Sequence, residues 1–590
     1  NYYGFVSMSA VCISTDGGTT YDVLTEANQY EPGWSQTNHD LTAYDGQTIN
    51  LAFVYQGTNE NIWAVDNIII KSVADPIVPI TTAYAPVFSA TALGASSSAM
   101  LYYSNIGVNP MDNFVLYNGG YRILNGYIPF KDYWLITGPL LDYLNAFFFT
   151  ILGVSWKSFV FHSSLFNSLI ALSTYFILLE FKLSKLLSFL YAASFSLLMY
   201  PVVGTPFVDH HSTIFVILAF YSLILGIKNN KFFSWFIIPF LLCLAFLSKQ
   251  TPSSYALIII LIVIISFLVL NPEKLKSIFF PLFYGCILAL IFLICFFYFT
   301  EIPLDNFWMQ YVLYAKSIGD QRFYNATLSF RSIFLQYKFI YIPLIFLFFY
   351  LFLTLKNFNK NKENFFIIIS IIAFSLSLIF HQILTSNQIY IFFLIPLLTA
   401  FVHIFFISIL NKNKILLYLT IAICIFAVVK YHHRFNEERK FNELQNVDLK
   451  KSIDAGAIHS SLTGLKWITM NFPENPKTEI DALKESMNIL QNDQSKKSLI
   501  TAYQFIAPSL LIYDFSPNQW HHPTVSFPIK GQKYFEVYKS FFVKNIKKNN
   551  IDIVYSIGKA EEGILGLILT NNCFETKKEG KIIFSHKLLK

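Results

Sequence analysis

The chain has 590 residues, 54% hydrophobic and only 13% charged, with 62 Phe and a mean hydropathy of +0.48. A soluble protein this apolar could not cover its surface with polar groups, and a disordered chain, a collagen or a coiled coil is excluded by the same figures, which leaves a polytopic membrane protein. The net charge of +7 is no argument for nucleic acid, because most lysines punctuate apolar runs, where they report membrane topology.

Residues 1 to about 100 differ from the rest: nine acidic residues, one basic one (Lys71) and three of the 62 Phe. Turn signals at Asp16-Gly17-Gly18 and Tyr44-Asp45-Gly46 separate short β-branched and aromatic runs, which predicts strands. STDGGTTYDVL (14–24), HDLTAYDGQTINLAFVYQGT (39–58) and WAVDNIII (63–70) resemble the C-terminal half of bacterial jelly-roll adhesin modules related to MAM domains. The resemblance implies a β-sandwich fragment over 1–72 that binds glycan or protein. The start at Asn1, without Met or a signal peptide, reads as a module cut short or joined from elsewhere. Residues 73–104, rich in Pro, Ala, Ser and Thr, are predicted to be a linker.

Residues 105–157 read as an outer loop with amphipathic helices flanking Gly138-Pro139 and lying along the membrane surface. Asp112 and Asp132 stand there, ahead of the first clear span. A carboxylate at that place can meet a lipid-borne substrate; it can equally cap a surface helix.

About ten spans are predicted over 158–430: 158–181, 186–203, 212–227, 232–248, 253–270, 277–300, 339–355, 365–383, 388–410 and 415–430. Loops 181–185, 228–231, 271–276, 355–363 and 411–414 hold eleven lysines, whereas the alternate short loops 204–211, 249–252 and 384–387 hold only Lys249. This positive-inside pattern places the N-terminal region, loops 204–211 and 301–338, and the C-terminal tail outside the cytoplasm. An outer start with ten spans requires a signal or one more span before residue 100, and 82–103 looks too rich in Ser, Ala and Thr to provide it. In the tail, 479–492 is predicted helical and 498–502 and 551–556 as strands, giving a small outer α/β domain over 440–590. The fold class expected is a mainly α membrane helix bundle between two smaller domains.

Several outer groups suit chemistry. Asp209-His210-His211 opens a span, where polar side chains are costly unless solvated or used. Consecutive residues point apart, so the tripeptide alone is a poor metal site, although Asp209 and one His could join Asp112 around a divalent ion or phosphate. Lys249 suits a lipid phosphate as a point charge, against simple snorkelling. Arg322 could clamp a phosphate bidentately. His381-Gln382 and Asn387-Gln388 could meet sugar hydroxyls. The six cysteines are scattered, with no metal or disulfide spacing.

The stretch ILNGYIPFKDYWLITGPLLDYLNAFFFTILG (123–153), with Asp112 ahead of it, resembles the first extracytoplasmic loop of C-type (GT-C) membrane glycosyltransferases. Those of family 39, the protein O-mannosyltransferase and aminoarabinose-transferase kind, are the most similar; the match covers 105–300, and later spans only by hydropathy. One departure is the β module where that family has a cytoplasmic N-terminus and a span. The resemblance implies inverting transfer of a sugar from a polyprenyl-phosphate donor to a lipid-linked glycan, lipid or protein acceptor, on the periplasmic face of a bacterial inner membrane. It makes Asp112 the acid/base candidate, Asp132 a partner in the P-F-x-D-x-W element, and S-K-Q-T, with Lys249, a phosphate element. Mg or Mn is a possible cofactor, and no nucleotide-binding motif is present. A polytopic lipid or glycan transporter or flippase is the alternative; it would show charges inside spans and internal repeats.

Overall fold

The structure, a computed structural model, describes residues 8–26, 39–44, 47–56, 84–324, 329–356, 358–385, 391–407 and 413–589. Two units, Asn1–Ile80 and Thr81–Lys590, are each compact.

In the first, β1 (Met8–Ser14), β2 (Asp22–Glu26) and β3 (Asn50–Gln56) form an antiparallel sheet in the order β2-β1-β3. The β1–β2 turn forms because the Asp16 carboxylate accepts the backbone N–H groups of Thr19 (2.9 Å) and Thr20 (3.0 Å). Gly17 and Gly18 supply its positive φ angles. The WAVDNIII segment and Asp45-Gly46 lie outside the described residues.

The second unit opens with α1 (Tyr84–Tyr103), a helix where a linker was expected. Its 20 residues extend about 30 Å, but it is not among the helices apolar enough to cross a membrane. The Ser and Ala content that hid it lets it pack on α4 (Trp156–Glu180) and α5 (Lys185–Leu198). Ser96 accepts from Asn167 (2.9 Å), and Ser97 bonds Ser168 (2.7 Å). Two helices of the 105–157 segment intervene, α2 (Pro110–Leu124) and α3 (Leu140–Leu152).

After α5 come α6 (Val208–Asn229), α7 (Phe232–Phe236), α8 (Ile238–Ser248), α9 (Gln250–Leu270) and α10 (Leu275–Thr300). Short helices α11 (Leu304–Phe307) and α12 (Ala315–Tyr324) lead to α13 (Lys338–Leu355), α14 (Phe358–Leu384) and α15 (Leu394–Phe405). The helix Lys414–His432 closes the bundle. Among the described residues seven helices are long and apolar enough to cross a membrane, against ten expected; 185–198, 232–248 and 391–405 are shorter. The span expected over 186–203 stops at Leu198 because Pro201, Gly204 and Pro206 follow.

The lysine-bearing loops near 180, 228–231, 271–276 and 355–363 meet at one end of the bundle. Lys274 pairs with Glu363 (3.0 Å), Lys228 lies 4.0 Å from Glu180, and Asn230 bonds Ser277 (2.9 Å).

Residues after 440 build a four-stranded sheet in the order β6-β7-β9-β8. A two-stranded pair, β4 (Ile453–Asp454) and β5 (Lys466–Trp467), precedes it. In the main sheet β6 (Lys497–Thr501) runs parallel to β7 (Ile553–Ile557), while β9 (Ile583–Leu588) is antiparallel to both β7 and β8 (Phe574–Lys578). Helices Pro476–Asn492 and Phe535–Lys548 accompany it. This region joins the bundle in one unit through buried polar contacts. Arg122 pairs with Asp514 (2.7 Å) and donates to the Asn518 carbonyl (2.9 Å), and Gln519 donates to Asp142 (2.9 Å). Gly119 is needed at that seam, since a Cβ there would lie 2.2 Å from Asp142 Oδ1.

Candidate functional site

Asp112 occupies the first turn of α2, after Pro110 at the helix start. The next residue, Asn113, ties this helix to the loop before α6: its Oδ1 accepts the Asn109 N–H (2.8 Å) and its Nδ2 donates to Thr205 Oγ1 (2.9 Å). The same loop hangs on buried Arg439, whose guanidinium donates to the carbonyls of Ile106 (3.0 Å), Pro201 (2.8 Å) and Val203 (3.1 Å). That loop delivers Asp209 at the start of α6.

Asp209 is 1% exposed and is held from both sides. Lys249 Nζ lies 2.5 Å from its Oδ2, and His381 Nε2 lies 3.3 Å from its Oδ1. Lys249 is fixed by the Ile-Thr-Gly-Pro step that precedes α3. Gly138 N–H donates to the Ser248 carbonyl (3.1 Å), and a Cβ at Gly138 would lie 1.8 Å from the Leu247 oxygen. Gln250 reinforces the contact through the Ile136 carbonyl (2.8 Å).

The charges of Asp209, Glu443 and Lys249 all reach Asp112. Burial, and then the like charges of Glu443 and Asp209, push its carboxyl up to about 7, while Lys249 opposes them. Arg322, on α12, lies within electrostatic reach of His381. Asp112, Asp209, Lys249, His381 and Arg322 thus share one neighbourhood. Beside it, fully buried Gln382 has neither amide atom partnered among the described residues.

Other predicted residues go elsewhere. Asp132 accepts the Ile128 N–H (2.9 Å) and pairs with Lys548 (2.9 Å), fastening its turn to the helix Phe535–Lys548. Asp209, His210 and His211 point apart: His210 packs on Tyr200 (centroids 5.0 Å) and His211 turns to His162. Asn387 and Gln388 lie outside the described residues. Sequence reasoning missed Asn113, Gly138, Arg439, Glu443 and His162. Glycine and proline flank the loop that Arg439 holds, but nothing in residue spacing marks the arginine itself.

A resident divalent ion does not fit this donor set. Both Asp209 oxygens are engaged by nitrogen, one by the cationic Lys249. Among the described residues no three His, Cys, Asp or Glu side chains converge on one point.

No known sequence family and no curated protein matches the chain. Among solved structures it is similar to the archaeal oligosaccharyltransferase AglB from Archaeoglobus fulgidus in complex with an inhibitory peptide and a dolichol-phosphate. The identity is 11% and the TM-score 0.43, over 86% of this chain and 75% of that one.

Proposed function

We propose that the chain is an integral membrane glycosyltransferase. It moves a sugar from a polyprenyl-phosphate donor to a lipid-linked glycan, lipid or protein acceptor on the periplasmic face of a bacterial inner membrane. The observation that carries this reading is the Asp112 carboxyl at the helix-bundle edge, within electrostatic reach of the Lys249–Asp209 pair, whose aspartate is enclosed. Burial and the like charges of Glu443 and Asp209 push that carboxyl up to about 7, which suits a base for proton transfer at neutral pH.

In the proposed step the acceptor oxygen attacks the anomeric carbon and its proton passes to Asp112. The bond from that carbon to the phosphate oxygen breaks, and its electron pair leaves with the polyprenyl phosphate. Lys249 and Arg322 stabilise the leaving charge. Asp209 aims the lysine, His381 and Gln382 meet sugar hydroxyls, and Asp132 holds the neighbouring turn. For residues 1–72 we propose glycan or protein binding, on the resemblance of their segments to adhesin modules.

The test is transfer from radiolabelled polyprenyl-phosphate sugars by the full chain in proteoliposomes. Asp112→Asn is expected to lower the rate by about 10² to 10⁴-fold at unchanged fold content. Retained transfer removes Asp112 from this role. Lipid movement across the bilayer without transfer would favour the flippase instead.

A further inference from the structure

Between α6 and α2 runs a chain of buried hydrogen bonds that the proposed reaction does not use. The Phe207 backbone N–H donates to Tyr200 Oη (3.0 Å), and Tyr200 Oη bonds His211 Nδ1. His211 Nε2 lies 3.0 Å from His162 Nε2. His162 Nδ1 lies 2.6 Å from Asn145 Oδ1, and Asn145 Nδ2 donates to the Leu116 carbonyl (3.0 Å). All four side chains are buried. Phe148 stacks on the His162 ring at 4.5 Å, and Phe166 packs on His211 at 4.3 Å.

The Asn145 end sets the direction of every bond; at the other end the Tyr200 hydroxyl accepts the Phe207 N–H and also lies 3.5 Å from the Phe207 carbonyl, so it fixes no direction by itself. A backbone carbonyl only accepts, so Asn145 turns its amino group to Leu116 and its oxygen to His162, whose Nδ1 therefore carries a hydrogen. One neutral assignment then satisfies each link: His211 is protonated on Nε2 alone and His162 on Nδ1 alone. Any other neutral pairing sets two donors or two acceptors face to face in an apolar interior.

The chain also has meaningful ends. Leu116 lies one helical turn after Asp112, and His211 two residues after Asp209. Gly120 admits Asn145 to α2, since a Cβ there would lie 2.6 Å from Asn145 Cβ. We propose that Tyr200, His211, His162 and Asn145 form a one-directional neutral strap that sets the spacing between the Asp112 helix and the Asp209 helix, acting as positioning residues for the transfer. The strap stands on geometry; its role in transfer rests on the function proposed above.

Ring-nitrogen NMR of the full chain labelled with 15N-histidine, in nanodiscs at neutral pH, reads the strap directly. Signals are assigned by their loss in His162→Gln and His211→Gln. The expected result is two neutral rings of opposite tautomer, His162 on Nδ1 and His211 on Nε2. An imidazolium at either ring, or one shared tautomer, overturns the strap. For the positioning role, Asn145→Leu removes the link to α2 and Tyr200→Phe removes a single hydroxyl, which leaves a milder variant should the first fail to fold. In Tyr200→Phe, kcat is expected to fall at least tenfold while the donor KM stays within twofold. An unchanged kcat overturns the positioning role. Opposite tautomers in a wild-type chain that transfers no sugar would sink the transferase reading and leave the strap standing.

Discussion

The two ends of the helix bundle handle lysine in opposite ways. Three helices join them: α6 carries Asp209 at its start and Lys228 near its end, α9 runs from Lys249 towards Lys274, and α14 runs from Glu363 to His381. About 30 Å separates the ends of such helices. At the lysine-rich end the pairs are open to solvent, with Lys274 and Glu363 at 24% and 48% exposure. At the other end Lys249 and Asp209 are at 17% and 1%. Open pairs are worth little. Enclosing a pair costs desolvation that its attraction only partly offsets. One enclosed pair beside a carboxyl raised to about 7 is the arrangement on which the proposed transfer draws at that end.

The contrast can be broken or sharpened experimentally. Asp112→Asn carries the largest expected effect, the loss in transfer rate given above, and its stability should move the other way. A carboxyl whose pKa is raised in the fold contributes stability that is present below its unfolded value and lost as pH rises through the folded one. With a folded value of about 7, Asp112→Asn should melt above the wild type at pH 8 and match it at pH 3, by thermal unfolding in detergent. The same titration predicts that kcat/KM rises with pH through about 7; a flat profile from pH 5 to 9 would speak against Asp112 as base. Lys249→Met leaves Asp209 enclosed without its cation and should cost about 3–5 kcal/mol; adding Asp209→Leu should recover part of that loss. At the lysine-rich end, Lys274→Gln should change stability by less than about 0.5 kcal/mol. Equal losses from Lys249→Met and Lys274→Gln would erase the distinction between the ends.

Lys249 was legible because it is the lone lysine in the short loops 204–211, 249–252 and 384–387, and Asp209 and His381 because they are polar at span ends, whereas Asp112 was singled out by the resemblance of its segment. Their convergence was not legible, since it depends on contacts between residues far apart in the chain, such as Asn113 with Thr205 and Arg439 with Pro201 and Val203. Asp132 stood with Asp112 in the same segment of the sequence, yet its carboxylate is taken up by the Ile128 N–H and by Lys548, more than four hundred positions on. Helix α1 escaped notice because Ser96 and Ser97 lower hydropathy while their hydroxyls are satisfied by Asn167 and Ser168. The tail was easier: Pro476–Asn492 is strongly amphipathic, and β6 and β7 fall within two residues of the apolar runs that predict them. His162 carried no signal, since a single histidine in an apolar helix reads as core until its partner is known.

The most direct measurement is sugar transfer in sealed proteoliposomes with donor supplied to one leaflet, comparing wild type with Asp112→Asn. Labelled acceptor should form only when the donor shares the leaflet of the Asp209 end of the bundle, and the variant should lose that product at least a hundredfold. Product formed from the lysine-rich side, or undiminished in the variant, would contradict the account.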